Sequence, residues 1–175
     1  MNRLELFPIS TTIEKDTLFI AGHDLEKLTG EHGTPLYLYD KVTMDEASTG
    51  YKTALASHYP EAGSVTYAGK AFLCTAIAQW AHGHGLYVDC TGEGEIAFAL
   101  AGGVPRERIL VHGVNKSIHD LKSAIQNAGT IVVDNMTELK QIRQLFTVSN
   151  SQFPDLWLRL LPGLAVETHH AHTQT

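Results

Sequence analysis

Short apolar runs alternate with longer amphipathic stretches from Thr34 onward. The runs are Leu36–Tyr39, Ser64–Ala68, Leu86–Cys90, Ile109–His112, Ile131–Asp134 and Leu156–Leu160. Each is a nearly continuous apolar run, the pattern of a strand buried on both faces of a parallel sheet. Between the runs, apolar residues recur at helical spacing. One set is Met44, Ala47, Tyr51, Ala54, Leu55 and His58; a second is Leu73, Ala76, Ile77 and Trp80. Two later sets are Ile118, Leu121, Ala124, Ile125 and Ala128, then Met136, Leu139, Ile142, Leu145 and Phe146. Steps of three and four residues bring such side chains onto one helix face. Glycines at 83 and 85, at 102 and 103, and at 129 mark helix stops. Ser117, and then Asn135 or Thr137, stand where N-caps belong.

The strand signals recur at intervals of about 20–30 residues, the size of a compact βα unit. The pattern predicts an α/β fold built on a parallel sheet. Two architectures satisfy it: a doubly wound open sheet, or a partial (β/α)8 TIM barrel supplying about six of eight units. A whole barrel takes about 250 residues, and this sequence has 175. The barrel reading therefore implies a fragment. Residues 1–30 break the alternation. Thr17–Ala21 reads as a strand, and a short helix follows with Asp24 near its N-cap. This N-terminal arm belongs to something outside the repeat, which runs over residues 31–175.

Composition narrows the class. Apolar residues make up 43% and charged residues 18%, a globular balance. The net charge is −6 and basic residues never cluster, which argues against nucleic acid or anionic membrane as partners. No run approaches the roughly 20 apolar residues that cross a bilayer. The N-terminus has no apolar core of a secretory leader. Cys74 and Cys90 adjoin apolar runs and read as reduced core thiols of a cytoplasmic protein.

In parallel α/β folds, functional groups gather at the C-terminal ends of strands. Here those ends carry Tyr39-Asp40, Lys70, Asp89-Cys90-Thr91, His112-Gly113, Asp134-Asn135 and Arg159. All are polar or ionisable, so one mouth of the sheet is predicted to hold a polar site. Lys70 closes an apolar strand and leads into Ala71-Phe72-Leu73, read as a helix start. A lysine drawn partly out of water there favours its neutral amine, the form that attacks carbonyls. On position alone, the ordinary alternative is a snorkelling lysine paired with Asp89 or Asp134. Gly92 and Gly94 turn the chain into a helix with Glu95 in its first turn, where a carboxylate also suits the helix dipole. A lone GxG after the third strand does not make a dinucleotide fingerprint. His82 and His84 sit at a helix end. His169, His170 and His172 cluster near the terminus without a helical frame, and no metal site is read from them.

Taken together, YAGKAF (Tyr67–Phe72), VDCTGEGEI (Val88–Ile96), HGVNKS (His112–Ser117), VVDN…EL (Val132–Leu139) and LRLLPG…THH (Leu158–His170) resemble, in order and spacing, the alanine-racemase-type (fold type III) pyridoxal-phosphate decarboxylases. The resemblance begins at GTPLYLYD (Gly33–Asp40) and covers nearly the whole chain. It implies a TIM-barrel, pyridoxal 5'-phosphate (PLP)-dependent decarboxylase with a small-molecule amino-acid substrate and with Lys70 as the Schiff-base lysine. It further implies that Asp89, Glu95 and Arg159 lie near the cofactor, and that the full protein is a homodimer with a C-terminal β-domain that the arm joins. Other amino-acid decarboxylases or racemases of this fold, and non-catalytic pyridoxal-phosphate barrels, remain alternatives. Departures exist: Thr91 stands for a usual Ser, Glu93-Gly94 for a Gly-Gly pair, and Val114 for a common Asn. The family's phosphate loop, ring-stacking histidine, pyridine-binding glutamate and partner-subunit cysteine have no counterpart within these residues. The 175-residue chain alone is therefore expected to bind cofactor poorly and to be inactive.

Overall fold

The computed structural model describes residues 3–146 and 152–160. They divide into two compact units, Met1–Ser64 and a second that begins at Val65.

In the first unit, β1 (Thr11–Glu14), β2 (Thr17–Ile20) and β3 (His23–Asp24) form an antiparallel sheet in that order. Both connections are two-residue turns. Lys15 and Asp16 have φ of 47° and 66°, and Ala21 and Gly22 have 49° and 76°. Positive φ at both central residues is the turn whose twist matches the flanking strands. Asp24 then caps α1 (Leu25–His32), accepting the Glu26 and Lys27 N–H groups at 2.9 and 3.2 Å. Asp40 caps α2 (Lys41–His58) by accepting the Thr43 N–H at 3.1 Å. The expected strand and cap of the arm are both present.

Two expectations in this unit fail. Leu36–Tyr39 runs without a ladder to any described strand, and Tyr37, Leu38 and Tyr39 are exposed. The apolar face expected for α2 is also largely solvent-facing, with only Ser48 buried. Strand and helix burial are both properties of a pair of surfaces, and an apolar run alone supplies one of them.

The second unit holds a five-stranded parallel sheet. Its strands are β4 (Thr66–Ala68), β5 (Tyr87–Cys90), β6 (Ile109–Val111), β7 (Thr130–Val133) and β8 (Asp155–Leu158), each beside the next in sequence. The crossovers are α3 (Thr75–Gly83), α4 (Glu93–Ala101) and α5 (Ile118–Asn127), with α6 (Met136–Phe146) between β7 and β8. Such crossovers share one hand, so a strand order that never reverses keeps its helices on one face. Burial agrees. Val88, Cys90, Ile109, Val111, Ile131 and Val133 are buried, while the intervening Asp89, Leu110 and Val132 are half-buried. The helices answer with Ile77, Ala81, Ile96, Ala99, Leu121, Ile125 and Ile142. The expected burial of both strand faces is corrected to one face among the described residues. The five described strands show none of the reversal of strand order that a doubly wound sheet needs.

Helix starts follow their caps. Ser117 and Asp120 form a capping box on α5. Asn135, rather than Thr137, accepts the Glu138 N–H at 2.9 Å. On α5 the expected apolar face is buried except for Ile118, and on α6 Met136 is exposed. Both exceptions lie in first turns.

Candidate active site

All five strands of the second sheet point the same way, so their C-terminal ends share one edge. Four of the polar residues expected there are linked to one another. Asp89, the penultimate residue of β5, has His112 Nδ1 2.6 Å from its Oδ1. The His112 carbonyl accepts a long 3.5 Å contact from Arg159 Nη2. Arg159 Nε lies 3.2 Å from Asp134 Oδ1. A chain of contacts thus crosses the edge through β5, the residue after β6, the residue after β8 and the residue after β7. Tyr39-Asp40 belongs to the other unit, where Asp40 serves as a helix cap.

Lys70 stands at the start of this edge. It lies in a single 3-10 turn, Gly69–Ala71, rather than closing a strand into a helix as expected; α3 begins only at Thr75. The difference has a local cause. The Tyr67 hydroxyl donates to the Phe72 carbonyl at 2.7 Å and closes a tight loop around the lysine. Tyr67 is held in turn by an edge-on contact with Trp80, ring centroids 5.8 Å apart. Beneath the turn, a Cβ on Gly69 would meet the Asp89 carbonyl at 2.6 Å and Glu95 Oε2 at 3.3 Å. Glycine is required there because the turn rests on β5. Lys70 is exposed, not drawn out of water as expected, and has no hydrogen bond or ion pair among the described residues. The ion pair with Asp89 or Asp134 that the alternative reading requires is absent among the described residues.

The electrostatics follow from burial. Asp89 is 14% exposed at its side chain. Burial pushes its carboxyl above the usual range. The hydrogen bond and charge of His112 pull the other way, the Glu95 charge adds to the rise, and the Lys70 charge opposes it. Lys70 and Glu95 are therefore both within electrostatic reach of Asp89. Glu95 Oε2 accepts the Thr91 N–H at 2.6 Å and fixes the β5–α4 loop. Burial, with the Glu95 and Asp89 charges behind it, pushes the neighbouring Cys90 thiol up to about 12. Cys74 and Cys90 are both free.

The four residues expected in the site thus take two kinds of place. Lys70 and Glu95 both act on Asp89 through their charges, and Arg159 joins through His112. Sequence reasoning left out the part played by His112, although its place at a strand end was the available signal. It also left out Lys116 and Glu138. Their buried contact, 2.6 Å long, ties the β6–α5 loop to the start of α6. His169, His170 and His172 lie outside the described residues. Among the described residues, no group of three or more His, Cys, Asp or Glu is placed to hold a metal ion. No described helix is long and apolar enough to cross a membrane.

An unpaired amine on a short turn, with carboxylates, an imidazole and a guanidinium along the same edge, is a donor set suited to an aldehyde cofactor. The amine can bond the aldehyde carbon, and the edge can hold the charges that develop beside it.

Comparison with known proteins agrees with this chemistry. Residues 45–175 match the family described as the pyridoxal-dependent decarboxylase, pyridoxal binding domain. The diaminopimelate decarboxylase of Mycobacterium tuberculosis (strain ATCC 25618 / H37Rv) is 39% identical over 167 residues, 94% of this chain and 36% of that protein. That of Bacillus subtilis (strain 168) is 39% identical over 153 residues, 87% of this chain and 34% of that protein. The chain thus spans about a third of the length of the curated relatives it matches. The crystal structure of the M. jannaschii diaminopimelate decarboxylase aligns with a TM-score of 0.80 at 26% identity, covering 91% of this chain and 38% of that one. The Helicobacter pylori enzyme complexed with L-lysine aligns at 0.73 and 30% identity, covering 84% and 36%.

Proposed function

The chain belongs to the pyridoxal-dependent decarboxylases, and from that premise we propose that the protein it forms part of converts meso-2,6-diaminopimelate to L-lysine and carbon dioxide. Lys70 holds pyridoxal phosphate covalently. The observation that carries the reading is the placement of Lys70 beside Asp89 and Glu95, at the edge where His112, Asp134 and Arg159 also meet. The relatives named above are diaminopimelate decarboxylases, and this supports the choice of substrate.

When bound, the cofactor supplies an electron sink for the pair released as the carboxylate leaves. The chain's own residues do the rest. The Tyr67–Phe72 loop holds Lys70 at the mouth, where its amine would hold the cofactor and could carry a proton at Nζ. Asp89 sets a negative charge beside that nitrogen. Glu95 holds the β5–α4 loop against the turn through Thr91. Arg159, fixed by Asp134, presents a cation on the far side.

The singly wound sheet supports its being an arc of a (β/α)8 barrel, with residues 31–175 as the barrel portion and the arm at 1–30 joining a separate β-domain. The reading extends to a cytoplasmic homodimer. The test is carbon dioxide release by the protein expressed to the full length of its reading frame. Turnover of meso-2,6-diaminopimelate well above ornithine and arginine, abolished by Lys70→Ala, supports the proposal. Preference for ornithine or arginine replaces the substrate, and turnover by Lys70→Ala removes the lysine from its role.

A further inference from the structure

We propose that His112 is a positioning residue of this site, holding the Asp89 carboxylate in place beside Lys70 through its Nδ1–H. The inference rests on the reading of Lys70 as the cofactor lysine and deepens it.

The geometry is constrained at both ends. In the parallel register Asp89 lies opposite Leu110, and the His112 N–H donates to the Cys90 carbonyl at 3.0 Å. His112 is therefore laddered to β5 at the point where the sheet ends. The next residue, Gly113, is pressed against the same strand: a Cβ there would fall 1.9 Å from the Thr91 carbonyl oxygen. With the backbone fixed on both sides, the imidazole reaches back diagonally and meets Asp89 Oδ1 at 2.6 Å.

His112 is the one side-chain hydrogen-bond partner of Asp89 among the described residues. The other charges on this edge are committed elsewhere or oppose it. Glu95, from α4, is a like charge and is occupied by the Thr91 N–H. Arg159 binds Asp134 and the His112 carbonyl instead of Asp89. Lys116, from the β6–α5 loop, is bound to Glu138 and the Val132 carbonyl. The Cys90 thiol stays neutral. Lys70 remains, and it is the nitrogen the site is to use. Burial and Glu95 raise the Asp89 carboxyl, while His112 and Lys70 lower it. Removing the imidazole leaves a carboxyl that gains a proton and loses its orientation. The negative charge beside Lys70 goes with it.

Asparagine can replace this function, because its amide N–H₂ falls close to where Nδ1 stands; leucine cannot. The experiment uses the full-length, cofactor-loaded protein, with wild type, His112→Leu, His112→Asn, Asp89→Asn and Asp89→Asn/His112→Leu compared. The first readout is the pH midpoint of the visible absorbance of the Lys70-bound cofactor; the second is kcat and KM. His112→Leu is expected to lower the midpoint by about one pH unit and kcat by about tenfold, with KM little changed. His112→Asn should recover most of both. The double variant should be no worse than Asp89→Asn alone, since the effect passes through Asp89. An unmoved midpoint in His112→Leu, an unrescued loss in a folded His112→Asn, or additive losses in the double variant each overturn the proposal. Borohydride label on Lys70 in wild type, with any of those results, overturns the His112 role alone. No label on Lys70 overturns the reading beneath it.

Discussion

Lys116 Nζ lies 2.6 Å from Glu138 Oε1, with the lysine side chain 0% and the glutamate 4% exposed. The lysine also donates to the Val132 carbonyl at 2.7 Å, and Glu138 Oε2 accepts the Asp134 N–H at 2.7 Å. The pair therefore clamps the β6–α5 loop to the end of β7 and sets the backbone that presents Asp134 to Arg159. Lys116→Met leaves a buried carboxylate without its cation, a change that costs about 3–5 kcal/mol when a buried pair loses one partner. Replacing both residues with Met and Leu should recover much of that loss, since a well-packed apolar pair avoids the desolvation of two charges. Urea unfolding of the single and double variants measures the difference.

Asp120 is a second joint. Its Oδ2 accepts the Ser117 N–H and hydroxyl, and its Oδ1 accepts the Glu93 N–H at 2.9 Å. One carboxylate thus serves the starts of both α4 and α5. Asp120→Ala should cost about 1–2 kcal/mol, the range of a lost N-cap. Burial raises the Asp120 carboxyl, but the bonds from Ser117 and Glu93 outweigh it and hold the group below its ordinary 3.8. A depressed folded value gives stability that is present above 3.8 and lost as pH falls through the folded value. The difference between wild type and Asp120→Ala should shrink in that acid window.

Asp89 carries the opposite sign. Its folded value lies above the ordinary 3.8 because burial opposes ionisation. Its contribution to stability is full below 3.8 and declines as pH rises through the folded value. Asp89→Asn should therefore lose that decline and gain stability relative to wild type above the window, while losing activity. Thermal unfolding from acid to neutral pH reads the crossover.

Cys90 is buried and pushed up to about 12, chiefly by burial. The thiolate is the reactive form, so Cys90 should resist alkylation in the native protein and react only on unfolding. Cys74 is partly exposed and should react first. Mass spectrometry of native and denatured samples separates the two.

Much of this was legible along the chain because it depends on neighbours in sequence. β5, β6 and β7 lie within a residue or so of their apolar runs, and Ser117 and Asn135 cap the helices that follow them. Lys70, Asp89 and Arg159 stood out as polar residues near strand ends, and Glu95 as an acidic residue in the first turn of a helix. What escaped was pairwise. Lys116 and Glu138 each look like ordinary surface charges, and only the fold brings residues 22 apart into one buried contact. The Lys70 turn depended on a hydroxyl five residues from its acceptor closing a loop where a helix was expected. Leu36–Tyr39 has strand composition, but a strand also needs a neighbour to bond.

The central claim is that Lys70 anchors pyridoxal phosphate. It is tested most directly by incubating the full-length protein with the cofactor, reducing with borohydride and mapping the labelled peptides. The account predicts a single pyridoxyl label on the peptide containing Tyr67–Phe72, absent from Lys70→Ala. A label on any other lysine, or one that persists in Lys70→Ala, would contradict it.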